Sequence, residues 1–209
     1  RQLVTEMTTK AGQKCTAIRR VIVPEGSADA VIDAVRTRLA ERTVLGDPRA
    51  EGVTMGPLAS LAQRDEVLRQ VAALQDAGGR IVIGTTATPE VRRADGTTGQ
   101  ISAGAFVAPI LLRFDDAEAD AVHGVEAFGP VASMLTYSTI AEAAGLVARG
   151  GGSLVTSIAT HDPAQAVALA TRIAPFNGRL LVLDRDDARS STGPGSPLPN
   201  LVPRGPGRA

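Results

Sequence analysis

The sequence predicts an α/β fold, a three-layer arrangement in which a parallel sheet is flanked by helices on its faces. Three observations lead there. Short β-branched runs alternate with segments whose apolar residues recur at helical spacing, and strands joined through helices pair in parallel. Helix-start signals stand ahead of the helical runs. The chain of 209 residues is 44% apolar, yet it has one tyrosine, four phenylalanines and no tryptophan, so its core must be aliphatic.

In chain order, "TAIRRVIVP" (16–24) reads as a strand closed by Pro24. Ser27 is placed to cap a helix with Val31, Ile32, Val35 and Leu39 on its buried face. "GDPRAEGVTMGPL" (46–58) is a loop punctuated by Gly and Pro. Ser60 and Gln63 form a capping box for a helix lined by Leu61, Leu68, Val71 and Leu74 and ended by Gly78 and Gly79. "RIVIG" (80–84) is a short buried strand, and the polar residues 85–103 form an exposed excursion. "AFVAPILLRF" (105–114) is extended, with Pro109 expected to keep it from a central place in the sheet. "GPVASMLTY" (129–137) is a strand. Thr139 and Glu142 box a helix with Ile140, Ala143, Ala144 and Val147 on one face. "SLVTSIAT" (153–160) is a strand, Asp162-Pro163 starts a helix with Val167, Ala170 and Ile173 inward, and "GRLLVLD" (178–184) is the last strand. Residues 1–185 are expected to form one domain. Residues 186–209 are too rich in Pro and Gly to pack and should be extended.

Composition narrows the function. Lys plus Arg equals Asp plus Glu at 22 each, with no long charge run, which speaks against a nucleic-acid groove or a polybasic membrane surface. No apolar run approaches the roughly 20 residues of a membrane span. A lone cysteine makes no intrachain disulfide, so nothing points to an oxidising compartment, and a cytoplasmic location is the default expectation. Two histidines and one cysteine without short spacing do not suit a structural zinc site, so no metal is expected.

The lone cysteine, Cys15, lies in "TTKAGQKCTAIRRVIVP" (8–24). A buried, inert thiol is one reading, because free cysteine is among the most buried residue types. A reactive thiol is the other. Lys10, Lys14, Arg19 and Arg20 surround it with no carboxylate between residues 7 and 24, and positive surroundings raise the thiolate fraction. Gly12 would let backbone approach a small ligand. A second unusual stretch, "VEAFGPVAS" (125–133), sets an acid and an aromatic two residues apart ahead of Gly-Pro, projecting from a tight turn. The plain alternative there is an exposed Glu126 and a core Phe128. Meanwhile "ARGGGSL" (148–154) lies at a helix end, the wrong polarity for a phosphate cradle.

Taken together, "GQKCTAIRR" resembles the nucleophile segment of the NAD(P)-dependent aldehyde dehydrogenase superfamily, and "EAFGPV" its downstream Glu-x-Phe-Gly-Pro element. "GDP…EGVTMGPL" and "GAFVAPILL" are similar to the family's intervening landmarks, in the same order. More narrowly, "KAGQKCTAIRRVIVP", "STGPGSPLPNLV" and "GPGRA" resemble the dehydrogenase half of bifunctional ring-opening enzymes of bacterial phenylacetate degradation, which pair it with a hotdog-fold hydratase. The resemblance implies that Cys15 is the catalytic nucleophile. It implies that Glu126 grips the nicotinamide ribose of NADP or NAD and that Phe128 backs the nicotinamide ring. The substrate implied is an aldehyde, specifically a CoA-linked semialdehyde oxidised to the acid, and the full-length enzyme is expected to be a homo-oligomer. The family's dinucleotide-binding domain, base glutamate and oxyanion asparagine lie N-terminal to the nucleophile, so the chain is expected to be a catalytic-domain fragment that lacks them and is inactive alone. Asp184 stands where relatives often have Asn. Three other possibilities remain at this point: a CoA-acylating dehydrogenase, a Cys–His hydrolase or acyl transferase using His123 or His161, and a non-catalytic packing module.

Overall fold

The computed structural model describes residues 1–183. Asp184, the boundary expected at 185/186 and the Gly/Pro-rich segment beyond it lie outside the described residues. Contacts divide the chain into two compact units, one of residues 3–136 and one from Tyr137 onward.

The first unit contains α1 (Gln2–Thr8), β1 (Arg20–Pro24), α2 (Ala28–Arg42), α3 (Leu61–Asp76), β2 (Arg80–Ile83), β3 (Glu90–Arg92), β4 (Thr98–Gln100), β5 (Ile110–Arg113), α4 (Asp120–Gly124) and most of β6 (Val131–Tyr137). Its main sheet has the order β1-β6-β5-β2. Strands β5 and β6 are parallel, with Ile110 opposite Val131. Side chains alternate across this sheet and both faces are covered. Ile110, Leu112, Val131 and Leu135 pack with Val67, Val71 and Leu74 of α3. Leu111, Ala132 and Met134 pack on the opposite side with Ile32, Val35 and Leu39 of α2 and with Leu3, Val4 and Met7 of α1. The β5 and β6 residues named are all 2% exposed or less. Burying a side chain of their size stabilises by about 1.5–3 kcal/mol. The three-layer expectation is met here.

Several details differ from the sequence expectation. Strand β2 runs antiparallel to β5, making the sheet mixed. The connection between them is not a helix but the 84–109 excursion, which carries the β3–β4 hairpin, and only a crossover element enforces parallel return. Strand β5 is interior despite Pro109. The proline stands just before the strand, where it removes no ladder donor, and the Ile110 amide still donates to the Pro130 carbonyl at 2.8 Å. Ser27 occupies the cap position of α2 but makes no side-chain cap bond, because its backbone is already helical (φ −108°, ψ −6°) after a 3₁₀ turn over Glu25–Ser27. Leu61, expected inward, is 45% exposed, and Val67 takes the inner place. Ser60 caps α3 as expected, accepting from the Gln63 amide at 3.1 Å.

The second unit contains α5 (Ile140–Ala148), β7 (Ser153–Ala159), α6 (Pro163–Ile173) and β8 (Asn177–Leu183). Strands β7 and β8 pair in parallel through α6, a crossover of the expected kind. Thr139 accepts from the Glu142 amide at 3.1 Å, and Asp162 accepts from the Ala164 amide at 2.9 Å with Pro163 in the first turn. Ala166 and Ile173 are buried in α6, whereas Val167, expected inward, is 65% exposed. Among the described residues no helix is long and apolar enough to cross a membrane.

Candidate active site

Strands β1 and β6 are neighbours in the main sheet. The Ser133 amide, near the start of β6, donates to the carbonyl of Arg19, the residue ahead of β1, at 2.8 Å. The segments that lead into these strands, residues 8–19 and 125–130, therefore emerge side by side.

The first segment leaves α1 through an unusual backbone. Lys10 and Ala11 are left-handed at φ 53° and 51°, and Gly12 follows at φ 72°. Each non-glycine residue in that region costs about 1–2 kcal/mol, and such strain collects at functional sites where the surroundings enforce it. Gly12 lies against the other segment. A Cβ placed there would fall 2.2 Å from the Gly129 carbonyl oxygen and 2.8 Å from the Pro130 nitrogen. The close approach that Gly12 was expected to offer a ligand is made by the protein's own backbone. A turn follows, closed by the Ala17 amide donating to the Lys14 carbonyl at 3.1 Å, with Cys15 and Thr16 at its corners. Cys15 is exposed. It is presented rather than packed away.

The second segment alternates: Glu126 and Phe128 are outward, while Ala127 is buried. Phe128 is 37% exposed and so is not the core residue of the plain alternative. Arg19 joins the two segments. Its Nη2 donates to the Gly12 carbonyl at 2.7 Å and its Nη1 to the Gly129 carbonyl at 2.8 Å. Its Nε lies 3.4 Å from Glu126 Oε1, and its guanidinium carbon stands 5.1 Å from the centre of the Phe128 ring, within cation–π range. Burial pushes the Arg19 guanidinium down from its ordinary range, and Glu126 acts in the opposite direction.

With this geometry, residues 1–180 match the aldehyde dehydrogenase family model. The chain belongs to the aldehyde dehydrogenase family. It is 41% identical over 207 residues to a 3,4-dehydroadipyl-CoA semialdehyde dehydrogenase of Aromatoleum evansii, covering 99% of this chain and 39% of that protein. It is 38% identical over 156 residues to protein MaoC of Klebsiella aerogenes, covering 74% of this chain and 43% of that one. The chain thus spans about two fifths of the length of these curated relatives. Among solved structures, betaine aldehyde dehydrogenase of Staphylococcus aureus superposes with a TM-score of 0.74 at 24% identity, over 88% of this chain and 34% of that one, which shows the shared fold. An NAD-dependent aldehyde dehydrogenase of Sinorhizobium meliloti gives 0.72 at 25% identity, over 87% and 33%.

In this aldehyde dehydrogenase chain, the positive surroundings expected of Cys15 are partly compensated. Lys14 Nζ is ion-paired at 2.6 Å with Glu6, a fully buried carboxylate of α1 that lies one residue outside the stretch free of acids. Arg19 is paired with Glu126, and Arg20, pushed down by burial, donates to His123 Nδ1 at 2.9 Å. His123 Nε2 in turn meets the Ala117 carbonyl at 2.8 Å. Both ring nitrogens of His123 are engaged, which leaves it no place as a base for a thiol. His161 belongs to the second unit. Among the described residues no cluster of three or more His, Cys, Asp or Glu is arranged to hold a metal ion.

Two parts of this site escaped sequence reasoning. Arg19 counted only as one of four positive charges, and Glu6 did not count at all. No local signal could have paired Arg19 with partners more than a hundred positions away.

Proposed function

We propose that this chain supplies the nucleophile lobe of an NAD(P)-linked dehydrogenase that oxidises an aldehyde to the acid. The observation that supports it best is the exposed Cys15 at the corner of a turn whose approach abuts Gly129 and Pro130, next to Glu126 and Phe128 in the chain. In this reading residues 1–185 belong to the catalytic domain.

The Cys15 thiolate adds to the aldehyde carbon, forming a carbon–sulfur bond and an oxyanion. The backbone N–H of Cys15, at the corner of the turn, is the donor this reading assigns to that oxyanion. Glu126 and Phe128 fit one side of a nicotinamide nucleoside. Phe128 keeps one ring face away from Arg19, and Glu126, with Oε1 engaged by Arg19 and its side chain 60% exposed, keeps Oε2 for ribose hydroxyls. When bound, the nicotinamide cofactor supplies the acceptor for the substrate's hydride. Water then cleaves the thioester on Cys15, which frees the acid and restores the thiol. The family resemblance implies a base glutamate N-terminal to Cys15 for that step.

The substrate class in this reading is a CoA-linked semialdehyde. The name of the Aromatoleum relative supports the CoA linkage, while phenylacetate degradation rests on the motif resemblance alone. A homo-oligomer, on the same resemblance, and a cytoplasmic location, the default from composition, complete the proposal. The test is Cys15→Ser in the full-length protein, assayed by NAD(P)H formation with a CoA-linked semialdehyde. Loss of turnover with a folded protein is expected, and retained turnover would overturn the assignment.

A further inference from the structure

We propose that Arg19 is a positioning residue, one guanidinium that fixes the nucleophile loop and the Glu126–Phe128 segment against each other. The proposal rests on the roles given above to Cys15 and Glu126.

The geometry is that of a clamp. A guanidinium carries five N–H donors in a rigid fork, and this one reaches a carbonyl on each segment, a carboxylate and an aromatic face at once. The carbonyl it holds on the nucleophile side belongs to Gly12, the last residue of the left-handed run and three positions before Cys15. Lys10 and Ala11 do not favour that conformation by themselves; the Gln13 amide on the Lys10 carbonyl and the Lys14 amide on the Gly12 carbonyl close the run from within, and Arg19 adds the bond that ties it to the other segment. On the other side, Arg19 holds the carbonyl of Gly129 and restricts Glu126, an exposed side chain otherwise free to change rotamer. Arg19 is anchored in turn by the Ser133 amide on its own carbonyl. A lysine here would present one compact charge, able to face Glu126 but not to span both carbonyls.

The test uses Arg19→Met, Arg19→Lys and Glu126→Gln in the full-length protein, read by steady-state kinetics, thermal stability and amide hydrogen exchange over residues 10–17. Losing charge-assisted bonds on this scale should raise the NAD(P) KM roughly tenfold and lower kcat roughly tenfold in Arg19→Met. Arg19→Lys should recover the KM and leave kcat low. Glu126→Gln should raise the KM alone, and adding Arg19→Met to it should raise the KM no further while still lowering kcat. Exchange over 10–17 should quicken roughly tenfold in Arg19→Met and stay unchanged in Glu126→Gln. Should Arg19→Met not fold, Arg19→Lys carries the exchange and kcat comparison. If the protein oxidises an aldehyde and Arg19→Met matches wild type in kinetics and exchange, or shows a KM effect that simply adds to that of Glu126→Gln, the clamp is overturned alone. If the wild type oxidises no aldehyde, the proposed function falls, and the exchange comparison still decides whether Arg19 holds the loop.

Discussion

Gly12→Ala adds one methyl group at the point where the two segments of the site touch. The new Cβ would lie 2.2 Å from the Gly129 carbonyl oxygen, while ordinary contact begins near 3.4 Å. The neighbour is backbone, so no flexible side chain can swing away, and the loop has to shift by about 1 Å. Alanine at a left-handed φ costs about 1–2 kcal/mol, and forcing extra volume into a packed contact about 1–3 more. A loss of about 2–5 kcal/mol is expected in chemical denaturation of the full-length protein. A displacement of about 1 Å at a reacting group lowers turnover on the order of a hundredfold, so kcat should fall further than stability alone explains. Gly145→Ala is the control. It lies within α5, has nothing within 4 Å of the added Cβ, and should be neutral or stabilise by up to about 1 kcal/mol. A Gly12→Ala protein with wild-type stability and kcat would show that the two segments do not meet as described.

Other outcomes follow from the same structure. Lys14→Met removes the Lys14–Glu6 ion pair at a fully buried carboxylate and should destabilise by up to about 3–5 kcal/mol in urea unfolding, with Glu6→Gln in the same chain recovering part of the loss. Phe114→Ala, which empties a site 1% exposed, should cost about 3–5 kcal/mol by the same measurement. The hydrogen bond from Arg49 lowers the Asp47 carboxyl from its ordinary 3.8 to about 2. Its contribution is therefore fully present above the ordinary carboxylate range and is lost as pH falls through about 2; carboxyl NMR titration should show this, with Arg49→Ala moving the midpoint upward. The 209 residues by themselves should reduce little or no NAD(P) with an aldehyde, a direct spectrophotometric check.

Much of the fold was legible because its signals are local. The spacing of Ile32, Val35 and Leu39, the Ser60 cap and the Asp162-Pro163 start each operate within a few residues, and all three appear as expected. The direction of β2 was not legible. It depends on how residues 84–109 return, and no periodicity encodes that. Leu61 and Val167 went wrong where a plausible helical face extended a turn further than the surface it covers. At the site, motif resemblance singled out Cys15, Glu126 and Phe128, but their segments meet through the β1–β6 pairing, the Arg19 hydrogen bonds and the Gly12–Gly129 contact. Contacts between residues so far apart leave no trace in local sequence. For the same reason, counting charges near Cys15 along the chain overstated the positive field, since Glu6 and Glu126 were left out of the count.

The distance along the chain between Gly12 and Ser133 also bears on how the protein is made. Translation delivers Cys15 ahead of the partners that hold its loop, which emerge from the ribosome only after more than a hundred further residues. Throughout that interval the turn that carries the thiol lacks the bonds from Arg19 to Gly129 and from Ser133 to Arg19. In the role proposed for it the sulfur would become competent late in synthesis, and chains released before Ser133 would carry it without the segment that it faces in the folded protein.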